Sequence, residues 1–213
     1  MTFSLLLFAN LFSQFFRSFL TIIAGDLTRD LGFGPGELGW LASAWFLAFA
    51  LFQLPVGYLL DTIGPRRSMA GLMLAGVVGA ILFALSQSFA MSALGMALVG
   101  IGCSPMLMAS LYIFGRTEPV ERFALLSSLM IGLASIGNLA SATPLALAAQ
   151  TFGWRWSVAG VGMAMALALL LILLFLRDPP KLLRADGGKA SVLGDILAIC
   201  ASGLSGGCFR CIS

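Results

Sequence analysis

The sequence contains no histidine, only four cysteines and few charged residues, 9 acidic and 12 basic among 213. Without histidine, and with its cysteines scattered, the chain has no zinc-site spacing and no secreted disulfide framework. The net charge of +3 is too small and too dispersed for a nucleic-acid-binding surface. Soluble domains carry about a quarter charged residues, whereas this chain carries 10%. These absences argue against a zinc protein, a nucleic-acid partner and an ordinary soluble domain.

What the sequence does contain is long apolar runs, since 60% of the residues are hydrophobic. A helix that crosses ~30 Å of hydrocarbon needs about 20 mostly apolar residues. Six stretches meet this requirement, at about 3–25, 38–60, 69–87, 91–115, 123–149 and 157–176. Because backbone amides in lipid must be satisfied within their own segment, each stretch is predicted to be helical. The predicted fold is an all-α polytopic membrane protein.

The predicted organisation is a six-helix transmembrane bundle over 1–180, followed by a cytoplasmic linker and aberrant tail over 181–213. After Pro179 and Pro180 the composition turns basic and then rich in Gly, Ser and Cys, which predicts a truncated or frameshifted product. Glycines of the third and fourth stretches are expected to allow close helix packing. These are Gly71, Gly76, Gly79, Gly95, Gly100 and Gly102.

Basic residues are distributed unevenly between the two sets of loops. One side has only Arg29 and Arg155. The other side has Arg66, Arg67, Arg116, Arg122, Arg177, Lys181, Arg184 and Lys189. Because loops rich in Lys and Arg stay in the cytoplasm, this bias predicts a multi-pass protein of the cell inner (plasma) membrane with both termini cytoplasmic.

An internal repeat becomes visible when the sequence is shifted by 89 residues. A 17-residue segment beginning at Pro55 then falls on one beginning at Pro144, with seven identities that include Gly64 and Gly153. Because the two copies lie three helices apart, they are predicted to face opposite sides of the membrane. Two inverted three-helix repeats are an architecture of secondary transporters. The alternative is that turns with Gly, Pro and Arg recur wherever helices end.

The loop after the second stretch carries a motif. Residues 57–67 read Gly-Tyr-Leu-Leu-Asp-Thr-Ile-Gly-Pro-Arg-Arg and resemble the loop signature of the major facilitator superfamily, Gly-x-x-x-Asp-Arg/Lys-x-Gly followed by basic or proline positions. The turn 153–156, Gly-Trp-Arg-Trp, is also similar to members of that family. The resemblance covers about residues 3–180 and implies the amino-terminal half of a transporter. Thr62 stands where the family usually has a basic residue.

Five residues of this loop form a candidate conformational latch: Gly57, Asp61, Gly64, Arg66 and Arg67. Gly57 is expected to let another helix approach closely. Asp61 lies at the carboxyl end of a helix, where the macrodipole disfavours an anion. We therefore expect a compensating partner, either Arg66, Arg67 or the positive end of an adjacent helix. The resemblance implies that the latch meets the opposite half of the transporter and biases alternating access. The alternative is that the arginines only set the topology.

A polar stripe runs along the first stretch. Asn10, Gln14, Arg17 and Thr21 are spaced by four, three and four residues, which places them on one helical face. Such intramembrane groups face the bundle interior or a watery cavity, and the resemblance implies that the first and fourth helices line that cavity. With Asn138, these residues are the candidate substrate-binding lining. The guanidinium of Arg17 is predicted to contact an anionic group of the cargo or of the missing half, because its planar fork suits such groups. The alternative is that Arg17 holds the bundle together.

The predicted function is secondary active or facilitated transport of a small solute by alternating access, as part of a full-length transporter, with an organic anion as one candidate cargo. The expected partners are the lipid bilayer, the solute, and a missing carboxyl-terminal half or a second copy of the chain. The alternative is a non-transporting membrane remnant or assembly subunit. No enzyme activity, metal or cofactor is predicted, because the stretches offer no groups for general acid–base chemistry.

Overall fold

The computed structural model describes residues 2–176, and the predicted tail over 181–213 lies outside the described residues. Also outside the description are the side chains of residues 2, 12, 17, 18, 137 and 139–144. The described part of the chain forms seven helices and no strand. They are α1 (Thr2–Leu31), α2 (Pro35–Thr62), α3 (Pro65–Ala84), α4 (Phe89–Cys103), α5 (Pro105–Thr117), α6 (Val120–Phe152) and α7 (Trp154–Phe175).

Five helical segments of the described chain are long and apolar enough to cross a membrane, with α4 and α5 counted as one segment. The predicted fold class, an all-α polytopic membrane protein, is therefore confirmed. Several helices extend beyond the apolar stretches, most of all α1, which continues to Leu31. The predicted stretch ends before Asp26 because only apolar residues were counted, whereas the helix continues through charged residues to its end at Leu31.

The predicted fourth stretch, 91–115, is two helices in the structure. α4 ends at Cys103 and α5 begins at Pro105, so the two meet at Ser104. Proline has no backbone N–H and its ring clashes with the carbonyl four residues earlier, which interrupts a helix. That carbonyl belongs to Ile101, and it accepts a hydrogen bond from the Ser104 hydroxyl at 2.7 Å. A serine–proline pair therefore breaks the segment halfway along its length.

Close backbone packing joins α3 to α4. A Cβ added to Gly102 would lie 2.7 Å from the backbone nitrogen of Gly76, and one added to Gly79 would lie 2.7 Å from the carbonyl oxygen of Gly95. Small residues allow such approaches between membrane helices, so the expected packing role of these four glycines is confirmed. At Gly71, by contrast, an added Cβ would meet no atom within 4 Å.

The helices α3 and α7 begin at glycine turns with nearly the same backbone geometry. Gly64 has φ +102° and ψ +156°, and Gly153 has φ +84° and ψ +157°. This region of backbone conformation is essentially restricted to glycine. The two glycines are also the positions that the 89-residue shift superposes. The same local chemistry therefore starts both helices.

Arginines connect α3 and α7 at both ends. Arg66, at the start of α3, donates a hydrogen bond to the carbonyl oxygen of Leu173 near the end of α7. Arg155, at the start of α7, donates to the carbonyl oxygen of Ser86, just beyond the end of α3, at 3.3 Å. The start of each helix thus lies against the end of the other. The two helices are antiparallel, and the Gly64 and Gly153 turns lie at opposite ends of the pair.

Candidate functional site

A cavity of about 160 Å³ lies between α1, α2 and the junction of α4 with α5. It is lined by Asn10, Ser13, Gln14, Trp45, Phe46, Phe49, Cys103 and Leu107. Cys103 and Leu107 flank the serine–proline break, which is also the midpoint of the Phe89–Thr117 segment. The cavity therefore lies at about half the depth of the bundle, where transporter substrate sites are found beside interrupted helices.

Two buried N–H donors of this cavity have no hydrogen-bond partner. Asn10 is 2% exposed and Trp45 is 4% exposed, and neither Asn10 Nδ2 nor Trp45 Nε1 has an acceptor. A buried donor left unpaired costs about 1–3 kcal/mol. The two donors come from different helices, α1 and α2, and line the same space. An acceptor group placed in the cavity would satisfy them.

The indole of Trp45 is held by aromatic neighbours. Its ring stacks on Phe49 with the centroids 5.2 Å apart and the planes at 10°, and meets Phe46 edge-to-face at 4.8 Å. The backbone of Trp45 lies against Gly100 of α4, because a Cβ added there would be 3.2 Å from the Trp45 carbonyl carbon. Both contacts fix the position of the indole nitrogen.

Only part of the predicted polar stripe enters this cavity. Asn10 and Gln14 line it, whereas Thr21 is an exposed residue of α1 and Asn138 is half-buried on α6. Neither Thr21 nor Asn138 is among the lining residues. The backbone of Arg17 belongs to α1, but its side chain lies outside the described part of the structure. Its contact with an anion therefore stays a prediction.

The candidate latch contains an ion pair whose basic member the sequence analysis did not name. The Asp61 carboxylate lies 3.5 Å from Nη2 of Arg116, which comes from the end of α5. The guanidinium of Arg116 also lies over the ring of Tyr112, 4.2 Å from its centroid. The partners expected from the sequence were Arg66, Arg67 or the positive end of an adjacent helix, and Arg116 is none of these. The observed partner joins α2 to α5 through residues 55 positions apart.

The close helix approach expected at Gly57 is not found among the described residues. A Cβ added to Gly57 would meet no atom within 4 Å. The neighbouring residues Leu54 and Tyr58 are 63% and 55% exposed, so this part of α2 has an open face in the described chain. The physical reason is that a small residue permits an approach but does not by itself supply the partner.

A second polar cluster lies at the opposite end of the bundle, beside the Gly153 turn. Trp154 Nε1 donates a hydrogen bond to Asp30 Oδ2 at 2.8 Å, and Nη1 of Arg155 lies 3.8 Å from the same oxygen. With the bond from Arg155 to the Ser86 carbonyl, this Asp30 cluster joins the ends of α1 and α3 to the start of α7. Asp30 was not among the residues predicted from the sequence, although the Trp154–Arg155 dipeptide that contacts it was part of a predicted motif.

The described residues hold no group of three or more His, Cys, Asp or Glu side chains that could bind a metal ion.

Comparison with known proteins places these features in context. The family model described as Major Facilitator Superfamily matches residues 6–209. The human solute carrier family 2, facilitated glucose transporter member 10 is 32% identical over 141 residues, which are 64% of this chain and 26% of that protein. A probable L-galactonate transporter of Escherichia coli (strain K12) is 27% identical over 151 residues, 71% of this chain and 33% of that protein.

A third relative is a probable hexose phosphate transport protein of Chlamydia pneumoniae, 33% identical over 91 residues, which are 42% of this chain and 20% of that protein. The matched region thus spans between a fifth and a third of the length of these three relatives.

Proposed function

Because this chain belongs to the major facilitator superfamily of multi-pass membrane transporters, we propose that it forms one wall of a path by which a small solute crosses the bilayer. The solute binds beside α1, α2 and the α4–α5 junction, and alternating access exposes that site to each side in turn. The matched relatives are about three or more times longer than the matched region. The second wall therefore comes from a carboxyl-terminal half or from a second copy of the chain.

The observation that carries this proposal is the mid-depth cavity with two buried donors that have no acceptor, Asn10 Nδ2 and Trp45 Nε1. Buried polar groups in proteins are normally hydrogen-bonded, and polar groups inside a membrane face the bundle interior or a water-filled cavity and mark solute or ion paths. This favours a transporter wall over the alternative of a non-transporting remnant or assembly subunit.

The inverted repeat is part of the proposal. The matching glycine turns at Gly64 and Gly153, and the arginines exchanged between α3 and α7, support two oppositely inserted three-helix units. The basic residues of the Gly64 end favour a cytoplasmic location for that end. Cysteines introduced singly at Ile63 and Phe152, in a chain without native cysteines, test this arrangement. An impermeant thiol reagent should reach them from opposite sides of the membrane, and labelling from one side would contradict it.

The 57–67 loop acts as the conformational latch in this proposal, with Arg116 as the partner of Asp61. Arg116 and Asp61 are 25% and 53% exposed in their side chains, and exposed pairs of this kind contribute only about 0–1 kcal/mol. A contact of that strength holds one state without trapping it, which is what a reversible latch requires.

The solute class is suggested by the relatives, whose names mention glucose, L-galactonate and hexose phosphate. We propose that the solute is a sugar or a sugar derivative. For a sugar derivative that carries a carboxylate or phosphate, we propose that Arg17 contacts this anionic group.

A flux assay tests the proposal. The purified chain is reconstituted in proteoliposomes, and counterflow of radiolabelled D-glucose, L-galactonate and glucose 6-phosphate is measured. We expect saturable counterflow of at least one solute, reduced by Asn10→Leu and unchanged by Trp40→Phe, since Trp40 is 71% exposed and outside the cavity. Absence of flux for all three solutes would exclude a second copy of the chain as the second wall.

A further inference from the structure

A second cavity, of about 370 Å³, lies beside α6 and α7. It is bounded by Phe15 of α1, by residues 145–152 of α6 and by residues 156–164 of α7. At about 100° of rotation per residue, Phe15 lies roughly 140–160° around α1 from Asn10 and Arg17. We call this space the α6–α7 groove. It is on the other side of α1 from the polar stripe and from the cavity at the α4–α5 junction.

The lining of the α6–α7 groove is apolar apart from Ser157. The Ser157 hydroxyl already donates a hydrogen bond to the carbonyl oxygen of Gly153 at 3.0 Å. At Gly160, in the middle of the α7 lining, an added Cβ would meet no atom of the described chain within 4 Å. The glycine leaves room there, and the atoms that face this room have no van der Waals partners on one side. The groove is therefore suited to an apolar occupant.

The groove has the length of one membrane leaflet. α7 has 22 residues, about 33 Å at ~1.5 Å per residue, which matches the ~30 Å of the hydrocarbon core. The Gly153 turn at its start therefore lies near one membrane surface. The α7 lining, from Trp156 to Ala164, begins about 4 Å and ends about 16 Å from that turn along the helix axis. Half of the hydrocarbon core is ~15 Å, so the groove runs from the surface to about the middle of the bilayer.

The groove is a recess in an exposed apolar face of α7. Trp156, Met163 and Leu167 are 75%, 72% and 51% exposed. Together with Gly160 they are spaced by four, three and four residues, which is one helical face. Because α7 is long and apolar enough to cross a membrane, this face is suited to contact with acyl chains. Trp156 lies at the outer end of the groove, where tryptophan is enriched in membrane proteins, and the neighbouring Arg155 side chain is 44% exposed at the level of lipid phosphates.

The connection between α6 and α7 favours an acyl chain over a helix of a protein partner. α6 ends at Phe152 and α7 begins at Trp154, so a single residue separates the two helices and their ends stay close. A helix with its side chains is about 10–12 Å across, and its insertion would require α6 and α7 to separate. An acyl chain is narrower and flexible, and it fills an irregular recess without such a movement.

We propose that the α6–α7 groove binds one acyl chain of a phospholipid from the leaflet on the Gly153 side of the membrane. One lipid binds per chain, with its acyl chain against Gly160 and its headgroup at the level of Arg155 and Trp156. The lipid supplies the packing that the groove lacks between α1 and α7. This site is separate from the solute path, and it does not depend on the transport function.

Native mass spectrometry of the full chain, purified from dioleoylphosphatidylcholine membranes into detergent, tests this site. Gly160→Leu fills the groove, and Gly71→Leu is the control, because both glycines have open space around them and coincide in the 89-residue shift. We expect the parent chain and Gly71→Leu to retain one phospholipid and Gly160→Leu to lose it. Equal retention in the two variants or no retained lipid in the parent chain would overturn the proposal. So would a second copy of the chain that Gly160→Leu displaces, since the groove would then be a protein interface.

Tryptophan fluorescence tests the site without a change at Gly160. Subtracting the spectrum of Trp156→Phe from that of the parent chain isolates the emission of Trp156. Trp40→Phe does the same for a reference residue, which is 71% exposed and outside the groove. Dibrominated phosphatidylcholine, a quencher, is titrated into the chain in detergent micelles. We expect Trp156 to be quenched saturably at one lipid per chain, and Trp40 only in proportion to the lipid content of the micelle. Proportional quenching of both residues refutes a defined lipid site.

Discussion

Replacing Gly100 with alanine tests how closely α2 and α4 must pack for the cavity to form. A Cβ at this position would lie 3.2 Å from the carbonyl carbon of Trp45 and 3.3 Å from the backbone nitrogen of Phe49. It would come closer than 3.0 Å to the Trp45 carbonyl oxygen, a distance that real Cβ atoms essentially never show. All of these are backbone atoms, so no side-chain rotation relieves the overlap. The helices themselves must separate.

The size of the effect follows from these distances. Ordinary carbon–oxygen contacts are about 3.3–3.6 Å, so α2 must move away from Gly100 by at least ~0.3–0.6 Å. Forcing extra carbon into a packed core costs about 1–3 kcal/mol, and replacing a helical glycine with alanine returns about 1 kcal/mol. The expected net loss is therefore up to about 2 kcal/mol of stability. Because Trp45 moves with α2, its donor also leaves the position that it shares with Asn10.

Thermal unfolding of the chain in detergent, followed by circular dichroism, measures this loss. The control is Gly71→Ala, a substitution in the adjacent helix α3 at which the added methyl meets no atom within 4 Å. We expect Gly100→Ala to melt below both the parent chain and the control, and to bind D-glucose more weakly. Equal melting temperatures for the two variants would refute the close α2–α4 contact as a determinant of stability.

Three further substitutions test the ends of the bundle. Gly153→Ala should lower the free energy of unfolding in denaturant by about 1–3 kcal/mol, because the backbone of Gly153 lies in a region that is essentially restricted to glycine. The control Gly160→Ala, at a helical position with open space around it, should cause no such loss. Equal losses in the two variants would contradict backbone strain at Gly153. Trp154→Phe should cost about 0.5–1.5 kcal/mol, because it removes a hydrogen bond to the Asp30 carboxylate, which is half-exposed and keeps Arg155 beside it. The control Trp156→Phe, 75% exposed, should change stability by less than about 0.5 kcal/mol, and indistinguishable variants would show that the bond is not made. Asp61→Asn should change stability by less than about 1 kcal/mol, since its pair is partly exposed, yet alter the rate of solute counterflow; an unchanged rate would argue against a latch.

The fold class and part of the site could be predicted from the sequence because both depend on local patterns. Apolar run length identifies membrane helices without knowledge of their neighbours. The spacing of Asn10 and Gln14 by four residues places them on one helical face, and both line the cavity. Glycine content likewise indicated close packing at Gly76 and Gly102. Each of these inferences needs only the helix itself.

The remaining features depend on which helices meet, and sequence spacing does not encode that. Asp30 is 124 residues from Trp154, and Asp61 is 55 residues from Arg116, so no local rule pairs them. In the sequence, Trp45 lies in an apolar run and looks like any lipid-facing aromatic residue. The structure distinguishes it, because its side chain is buried and its Nε1–H has no acceptor. For a buried Trp, the usual requirement for a hydrogen-bond partner is the signal that would have directed attention to it.

The distribution of polar contacts suggests how the proposed path opens. Arg66 and Arg155 each bond to a carbonyl at the end of the partner helix, where the macrodipole is negative and a cation is favoured. The α3–α7 pair is thus joined at both ends, and in the proposed path it moves as one unit. The Asp30 cluster attaches α1 to this pair at the Gly153 end.

The pair of Asp61 with Arg116 joins α2 to α5 at the Gly64 end, the opposite end of the bundle. The described ion pairs that link different helices are therefore found one at each end, with the cavity between them. In the proposed path, breaking one ion pair opens the cavity towards one side while the other keeps the opposite side closed. Variants of Asp30 and Asp61 should consequently bias the chain towards opposite accessibilities, measurable from each side by thiol labelling of Leu107→Cys, a substitution in the cavity lining of a chain without native cysteines.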